Sequence, residues 1–168
     1  MADQGGQTPM TLSLWAAIPA PHSMDNTDAQ CTPLDLARDL GRFDLDPCSN
    51  PRSTILADRT YSLEAGQDGL TLPWVGSVWV NGPYSDPLPW CERLRDHDGP
   101  WCCLWKLDTT TRWFAELMAS GARWGPFRKR LRFDRPGNVG AADFASVLVW
   151  KDWIPPDAIV NRLWRTWT

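Results

Sequence analysis

Apolar positions along this 168-residue chain come in short runs separated by turn residues, and the spacing within each run predicts an element. From residue 1 to about 28, Gly, Gln, Pro, Asp and Asn are interrupted only by an apolar patch from Leu12 to Ile18, which predicts a loose arm partly packed by Trp15. Thr32-Pro33-Leu34-Asp35 then offers an N-cap Thr and a Pro at the first helical position. Leu36, Ala37 and Leu40 share one face of that helix, and Gly41 stops it. Phe43-Asp44-Leu45-Asp46 alternates as a strand and breaks at Pro47-Cys48-Ser49-Asn50-Pro51. Residues 54–61 read as a short helix or loop, and Asp68-Gly69-Leu70 with Pro73-Trp74 leads into a strand over residues 77–80.

Farther along, Trp90, Cys91 and Leu94 fall at helical spacing between Pro87 and Asp98, and residues 101–107 read as a buried strand. Asp108 to Thr111 caps a helix carrying Trp113, Phe114, Leu117 and Met118 up to Gly121. Residues 128–133 and 144–150 read as paired strands around Arg135-Pro136-Gly137-Asn138, and a short tail follows with Trp153, Trp164 and Trp167. Alternating strands and helices closed by a strand pair predict an α/β fold, mainly parallel, helix-covered, with a C-terminal antiparallel hairpin. The length supports one core and leaves no room for a second domain of ordinary size, so residues 29–168 are expected to form a single domain after the arm at 1–28.

Composition narrows the function classes. Hydrophobic residues at 43% favour a globular chain over a disordered one, and twelve tryptophans suit a bulky core. A net charge of −3 argues against coating nucleic acid through bulk electrostatics, so any DNA contact must be local. The suitable cluster is Arg128, Lys129, Arg130 and Arg132, alternating with Leu131 and Phe133 and followed by Arg135; the alternative is a solvated edge strand whose charge prevents aggregation. Five cysteines, an odd number without CxxC spacing, do not suggest a zinc site or a disulfide framework; Cys102 and Cys103 should face opposite sides of a strand. With no apolar stretch of bilayer length and no export-type leader, a soluble cytoplasmic protein is expected.

The most informative run is Val78-Trp79-Val80-Asn81-Gly82-Pro83-Tyr84-Ser85. A strand ends directly in a polar turn with an aromatic, and the C-terminal ends of strands are where open α/β sheets place ligands. An Asn amide beside a Tyr ring suits a flat, hydrogen-bonding ring such as a nucleobase. Asn81-Gly82-Pro83-Tyr84 resembles the Asn-Pro-Pro-Tyr signature of amino-group methyltransferases, differing at Gly82. Thr32-Pro33, Asp46-Pro47-Cys48 and Asp68-Gly69-Leu70 precede it in the family's order. With Lys106-Leu107-Asp108, Arg112-Trp113-Phe114 and Arg132-Phe133, the stretch from Thr32 to Trp150 is similar to the small phage-type DNA N6-adenine methyltransferases.

That resemblance implies a doubly wound, Rossmann-like methyltransferase sheet, S-adenosyl-L-methionine as cofactor and double-stranded DNA as partner, in the host cytoplasm of a phage or prophage. It implies that Asn81, Gly82, Pro83 and Tyr84 serve the target adenine, and that Thr32, Pro33, Asp46, Pro47, Cys48, Asp68 and Leu70 shape the cofactor pocket. Asp46 and Asp68 are the carboxylates expected near the cofactor's polar hydrogens, with Glu64 at the ribose. Arg128, Lys129, Arg130 and Arg132 are the DNA-binding candidates. No acid-base dyad is required for direct transfer, in keeping with only two histidines, His22 and His97. Gly82 keeps the carbonyl that proline would offer but loses its fixed φ, which predicts a looser pocket. Sequence choice is expected to rest on the arm and terminal hairpin, on a homodimer, or to be relaxed. Two alternatives share these residues: a glutamine-amide protein methyltransferase, and a noncatalytic relative that binds nucleic acid or protein.

Overall fold

A computed structural model describes residues 30–135 and 138–164; the expected arm lies outside them. Helix α1 spans Leu34–Leu40 and strand β1 Arg42–Asp46, with Gly41 between them at φ 84°. Strand β2 covers Leu56–Thr60 and β3 Val78–Val80, with a 3-10 turn at Leu63–Ala65 between them. Helix α2 (Leu88–Arg95), β4 (Trp101–Lys106), α3 (Arg112–Ala119) and β5 (Arg123–Pro126) follow. The chain then forms β6 (Arg132–Arg135), β7 (Asn138–Ala141), β8 (Ser146–Lys151) and α4 (Asp157–Val160).

Six strands form one sheet in the order β2-β1-β3-β4-β8-β5. The pairings β1–β2, β1–β3 and β3–β4 are parallel, while β8 runs antiparallel between β4 and β5. This mixed, mostly parallel α/β sheet is compatible with a Rossmann-like fold. Burial explains the layering. Every residue of β4 from Trp101 to Trp105 is buried, as a central strand covered on both faces requires. Cys102 and Leu104 enter one core with Leu36, Ala37 and Leu40 of α1 and Ile159 of α4. Trp101, Cys103 and Trp105 enter the other, with Trp90, Cys91 and Leu94 of α2 and Trp113, Phe114 and Leu117 of α3. Cys102 and Cys103 thus face opposite sides, and all five cysteines are free. Fully burying a Leu or aromatic side chain contributes roughly 1.5–3 kcal/mol, so burial on both faces holds the sheet between the α1/α4 and α2/α3 helices.

Three sequence expectations are corrected. Residues 54–61 contain an edge strand, β2, pairing with β1 from Arg42↔Leu56 to Asp46↔Thr60. The strand at residues 146–151 does not pair with the one near residue 132: β6 pairs with β7 in a separate two-stranded ribbon, and β8 is held by β4 and β5. Residues 128–131 are not strand, so the basic run does not alternate on a sheet, although Leu131 and Phe133 are buried while Arg128, Lys129, Arg130 and Arg132 are exposed. No helix among the described residues is long and apolar enough to cross a membrane.

The position of β1 matters for function. From β1 the chain goes outward to the edge at β2 and returns to β3 on the other side, which leaves a crevice between the C-terminal ends of β1 and β3. The register Leu45↔Val78 brings Asp46 and Asn81 to that same end.

Candidate active site

A cleft opens at this crevice. Its inner wall is Pro47, Cys48 and Ser49, just past β1; Tyr61, Ser62 and Leu63 follow β2; and Gln67 to Leu70 form a third side. Pro83, Ser85, Asp86, Pro89 and Trp90 close it from the segment after β3. No Lys, Arg or His is among these lining residues, whereas Asp68 and Asp86 are.

The walls are built by local chemistry. Asp68 Oδ1 accepts from the Leu70 N–H at 2.9 Å, and the Asp68 carbonyl accepts from the N–H groups of Thr71 and Leu72, so Asp68 folds the turn it stands in. Gly69 packs so closely that a Cβ there would lie 1.8 Å from the Pro47 carbonyl oxygen. The Trp74 indole donates to the Gly69 carbonyl at 2.7 Å and stacks on Trp90 at 6.3 Å, with Arg93 over Trp74 at 5.0 Å. Tyr61 Oη donates to the Pro73 carbonyl at 2.8 Å. Trp90 leaves little space at Gly82, where a Cβ would meet its indole at 3.2 Å.

Asp46 lies behind the wall rather than on it, only 3% exposed. Its carboxylate accepts from the Cys48 N–H at 3.2 Å and from Ser53 Oγ at 3.3 Å, and also from the Ser49 side chain. Burial dominates, and pushes its pKa up to about 6 despite these bonds. Burial, and then the neighbouring Asp46 charge, also holds the Cys48 thiol well above its usual range. The Asn81 backbone N–H works against that rise, acting on the Cys48 thiol across the ends of β1 and β3.

Asn81 is half-buried just past β3. Its Nδ2 donates to the Gln30 carbonyl at 3.0 Å and to Thr32 Oγ1 at 3.2 Å. Oδ1 is buried and accepts no hydrogen bond from the described residues, which is costly unless something else donates to it. Thr32 is itself 3% exposed and makes no side-chain cap to α1, whose N-cap is Pro33.

The stretch 83–88 separates two clefts. Pro83, Ser85 and Asp86 face the first, while Tyr84, Pro87 and Leu88 line a second with Trp105, Lys106, Asp108, Thr111, Arg112 and Trp113. The Tyr84 ring meets Phe144 at 5.4 Å and Phe133 at 6.1 Å, both edge-on, and Lys106 Nζ sits 5.9 Å over Phe144.

Of the residues singled out in the sequence, Pro47, Cys48, Asp68, Leu70 and Pro83 come together on the first cleft. Thr32, Asp46 and Asn81 stand behind or beside it, Gly82 is packed under Trp90, Tyr84 faces the second cleft, and Glu64 is not among the lining residues. Pro33 lines a third, basic groove with Arg128, Lys129, Arg130 and Arg132. There Arg128 Nε donates to the Leu163 carbonyl at 2.8 Å and Arg130 to the Ala142 carbonyl at 3.2 Å, neutral acceptors, and Arg128 also lies 5.4 Å over the Trp164 ring. Arg162 in the same groove is paired with Asp35 and Asp39. Sequence reasoning missed Trp90, Tyr61 and Arg162 as site neighbours. Trp90 carried a helical-core signal, and the other two gave none.

Comparison with known proteins bears on this geometry. A family model described as DNA N-6-adenine-methyltransferase (Dam) matches residues 25–162. The DNA N-6-adenine-methyltransferase of Haemophilus phage HP1 (strain HP1c1) is 33% identical over 78 residues, covering 44% of this chain and 43% of that protein. The match therefore spans less than half of the relative's length. No solved structure matches. Because the family model takes in most of the chain, including every segment that lines the three clefts, this protein belongs to the DNA N-6-adenine-methyltransferase (Dam) family.

Proposed function

We propose that this chain transfers a methyl group from S-adenosyl-L-methionine directly to the N6 amino nitrogen of an adenine swung out of double-stranded DNA. The observation that carries the reading is the Asn81 amide, whose two N–H groups are engaged and whose buried oxygen accepts nothing from the described residues. An exocyclic amino group is a donor that such an oxygen would accept from. Membership of the Dam family supports adenine as the base and a doubly wound methyltransferase sheet as the scaffold.

The first cleft fits the cofactor by its donor set. A ligand whose sulfonium and ammonium outweigh its single carboxylate, for a net positive charge, is served by a pocket with two carboxylates, and an adenine moiety by walls of Tyr61, Leu63, Leu70 and Trp90. Pro47, Cys48, Asp68 and Leu70 would hold it, with Asp46 adding negative potential from behind. Bound there, S-adenosyl-L-methionine supplies an activated methyl group on sulfur.

The chain's own residues then position the base. Extruding a nucleotide costs a few kcal/mol, which stacking on an aromatic such as Tyr84, about 1–3 kcal/mol, and two hydrogen bonds of about 1 kcal/mol each would offset. Asn81 lines neither cleft and its Oδ1 is covered, so the incoming base must displace what covers it; Asn81 Oδ1 and the Gly82 carbonyl then take the two amino hydrogens, which aims the nitrogen lone pair at the methyl group. The second cleft, on Tyr84's side of the 83–88 partition, is the route by which the base arrives. The basic groove begins at Pro33, next to the Asn81 partner Thr32, and Arg128, Lys129, Arg130 and Arg132 there meet backbone phosphate. The test is to assay Asn81→Ala and Tyr84→Ala: both should lose methyl transfer and still bind S-adenosyl-L-methionine. Retained DNA methylation in both variants would reject the assignment.

A further inference from the structure

We propose, resting on the adenine reading above, that Thr32 is a positioning residue: together with the Gln30 carbonyl it grips the Asn81 amide by its nitrogen and so fixes its oxygen toward the substrate amino group.

An Asn side chain can sit in a site in two ways, with nitrogen and oxygen exchanged by a half-turn. The Gln30 carbonyl breaks that degeneracy. A carbonyl only accepts, so the atom 3.0 Å from it must be the amide nitrogen; the flipped amide would set two oxygens against each other. Nitrogen has two hydrogens, and Thr32 Oγ1 at 3.2 Å takes the second. With both donors engaged, the amide has nothing left to gain by rotating, and its remaining atom is an acceptor.

Thr32 is placed for this task by contacts that do not involve helix α1. Its local sequence, Thr before Pro, suits an N-cap, yet its side chain caps nothing. Instead its carbonyl accepts from Thr54 Oγ1 at 2.6 Å, anchoring the turn to the segment before β2, and its side chain is buried toward a partner 49 positions away. Thr32 is also absent from the lining of the first cleft. A residue that touches Asn81 and not the cofactor cleft should act on the transfer step and leave cofactor binding alone.

The experiment compares wild type with Thr32→Val, which keeps the shape and removes the acceptor, Thr32→Ser, which keeps the hydroxyl, and Thr32→Ala. Rates are read at saturating DNA and S-adenosyl-L-methionine, beside cofactor affinity by calorimetry and thermal melting. The Val and Ala variants should transfer roughly 10- to 100-fold more slowly, with cofactor affinity within about twofold, and Ser should stay within about threefold of wild type. In an Asn81→Ala background, adding Thr32→Val should change neither melting nor cofactor affinity further, because the two act as a unit.

Wild-type rates in Thr32→Val would overturn the proposal while leaving the methyltransferase reading intact. So would a loss of cofactor affinity in step with rate, which would make Thr32 a cofactor contact. Failure of both Val and Ala variants to fold while Asn81→Ala folds would overturn it too, by showing that the hydroxyl holds the fold rather than the amide. An inactive wild type would instead reject the function on which the proposal rests.

Discussion

Replacing Asp46 by Asn should make the protein more stable and bind its cofactor less well. The carboxyl is buried, and its pKa rises from 3.8 to about 6 because desolvation outweighs the bonds from Cys48, Ser53 and Ser49. The folded state therefore holds a proton that the unfolded chain releases between about pH 4 and 6. Stability falls as pH rises through that window, and above it the charge costs about 3 kcal/mol. Asparagine is nearly isosteric. Its oxygen can accept from the Cys48 N–H and its nitrogen can donate to Ser53 Oγ, so those two bonds survive and the charge does not. Urea unfolding of both proteins from pH 4 to pH 8 reads the difference. It should be near zero at pH 4 and grow toward about 3 kcal/mol in favour of Asp46→Asn by pH 7 to 8. Affinity for S-adenosyl-L-methionine, a cation-bearing ligand, should fall in the same variant. A difference independent of pH, or a wild type that gains on the variant as pH rises, would refute the reasoning.

Gly69→Ala should destabilise the fold by about 1–3 kcal/mol and weaken cofactor binding, because the added Cβ meets the Pro47 backbone at 1.8 Å and forces apart two walls of the first cleft; an unchanged urea midpoint would contradict this. Changing Arg130 and Arg132 together to Gln should weaken DNA binding and reduce the slope of log affinity against log salt by roughly 0.9 per lost phosphate contact; an unchanged slope would remove the basic groove from the interface. Asn81→Asp sets a carboxylate oxygen against the Gln30 carbonyl, so melting should fall by an amount corresponding to about 1–3 kcal/mol, and a variant as stable as wild type would show that the amide is not held there.

The helices and central strands were legible because their signals are local. Trp113, Phe114 and Leu117 repeat with the period of a helix, and Phe43 and Leu45 with that of a strand, and all are buried. Strand β2 was not, since an edge strand with four of its five residues exposed shows no apolar alternation. Strand β5 contains Gly125 and Pro126, which argue against a strand in isolation; as the outermost strand, β5 tolerates them. Pairing of β8 with β4 rather than with its sequence neighbours is a long-range choice, made by burying Val147 and Val149 in one core and Leu148 in the other. In the site, the segments that meet could be named from motifs, but not how they divide the work. Thr32 read as a helix cap under a local rule, and its hydroxyl instead went to an amide far along the chain. Asp46 read as a carboxylate facing ligand, and the fold set it behind the wall that Pro47 to Ser49 provide.

The central claim is tested most directly by incubating the full-length protein with unmodified DNA and S-adenosyl-L-methionine labelled in its methyl group, then digesting the DNA to nucleosides. The account predicts label in N6-methyladenine, absent when Asn81→Ala replaces wild type. Label confined to protein, to another base, or to no product at all would contradict it.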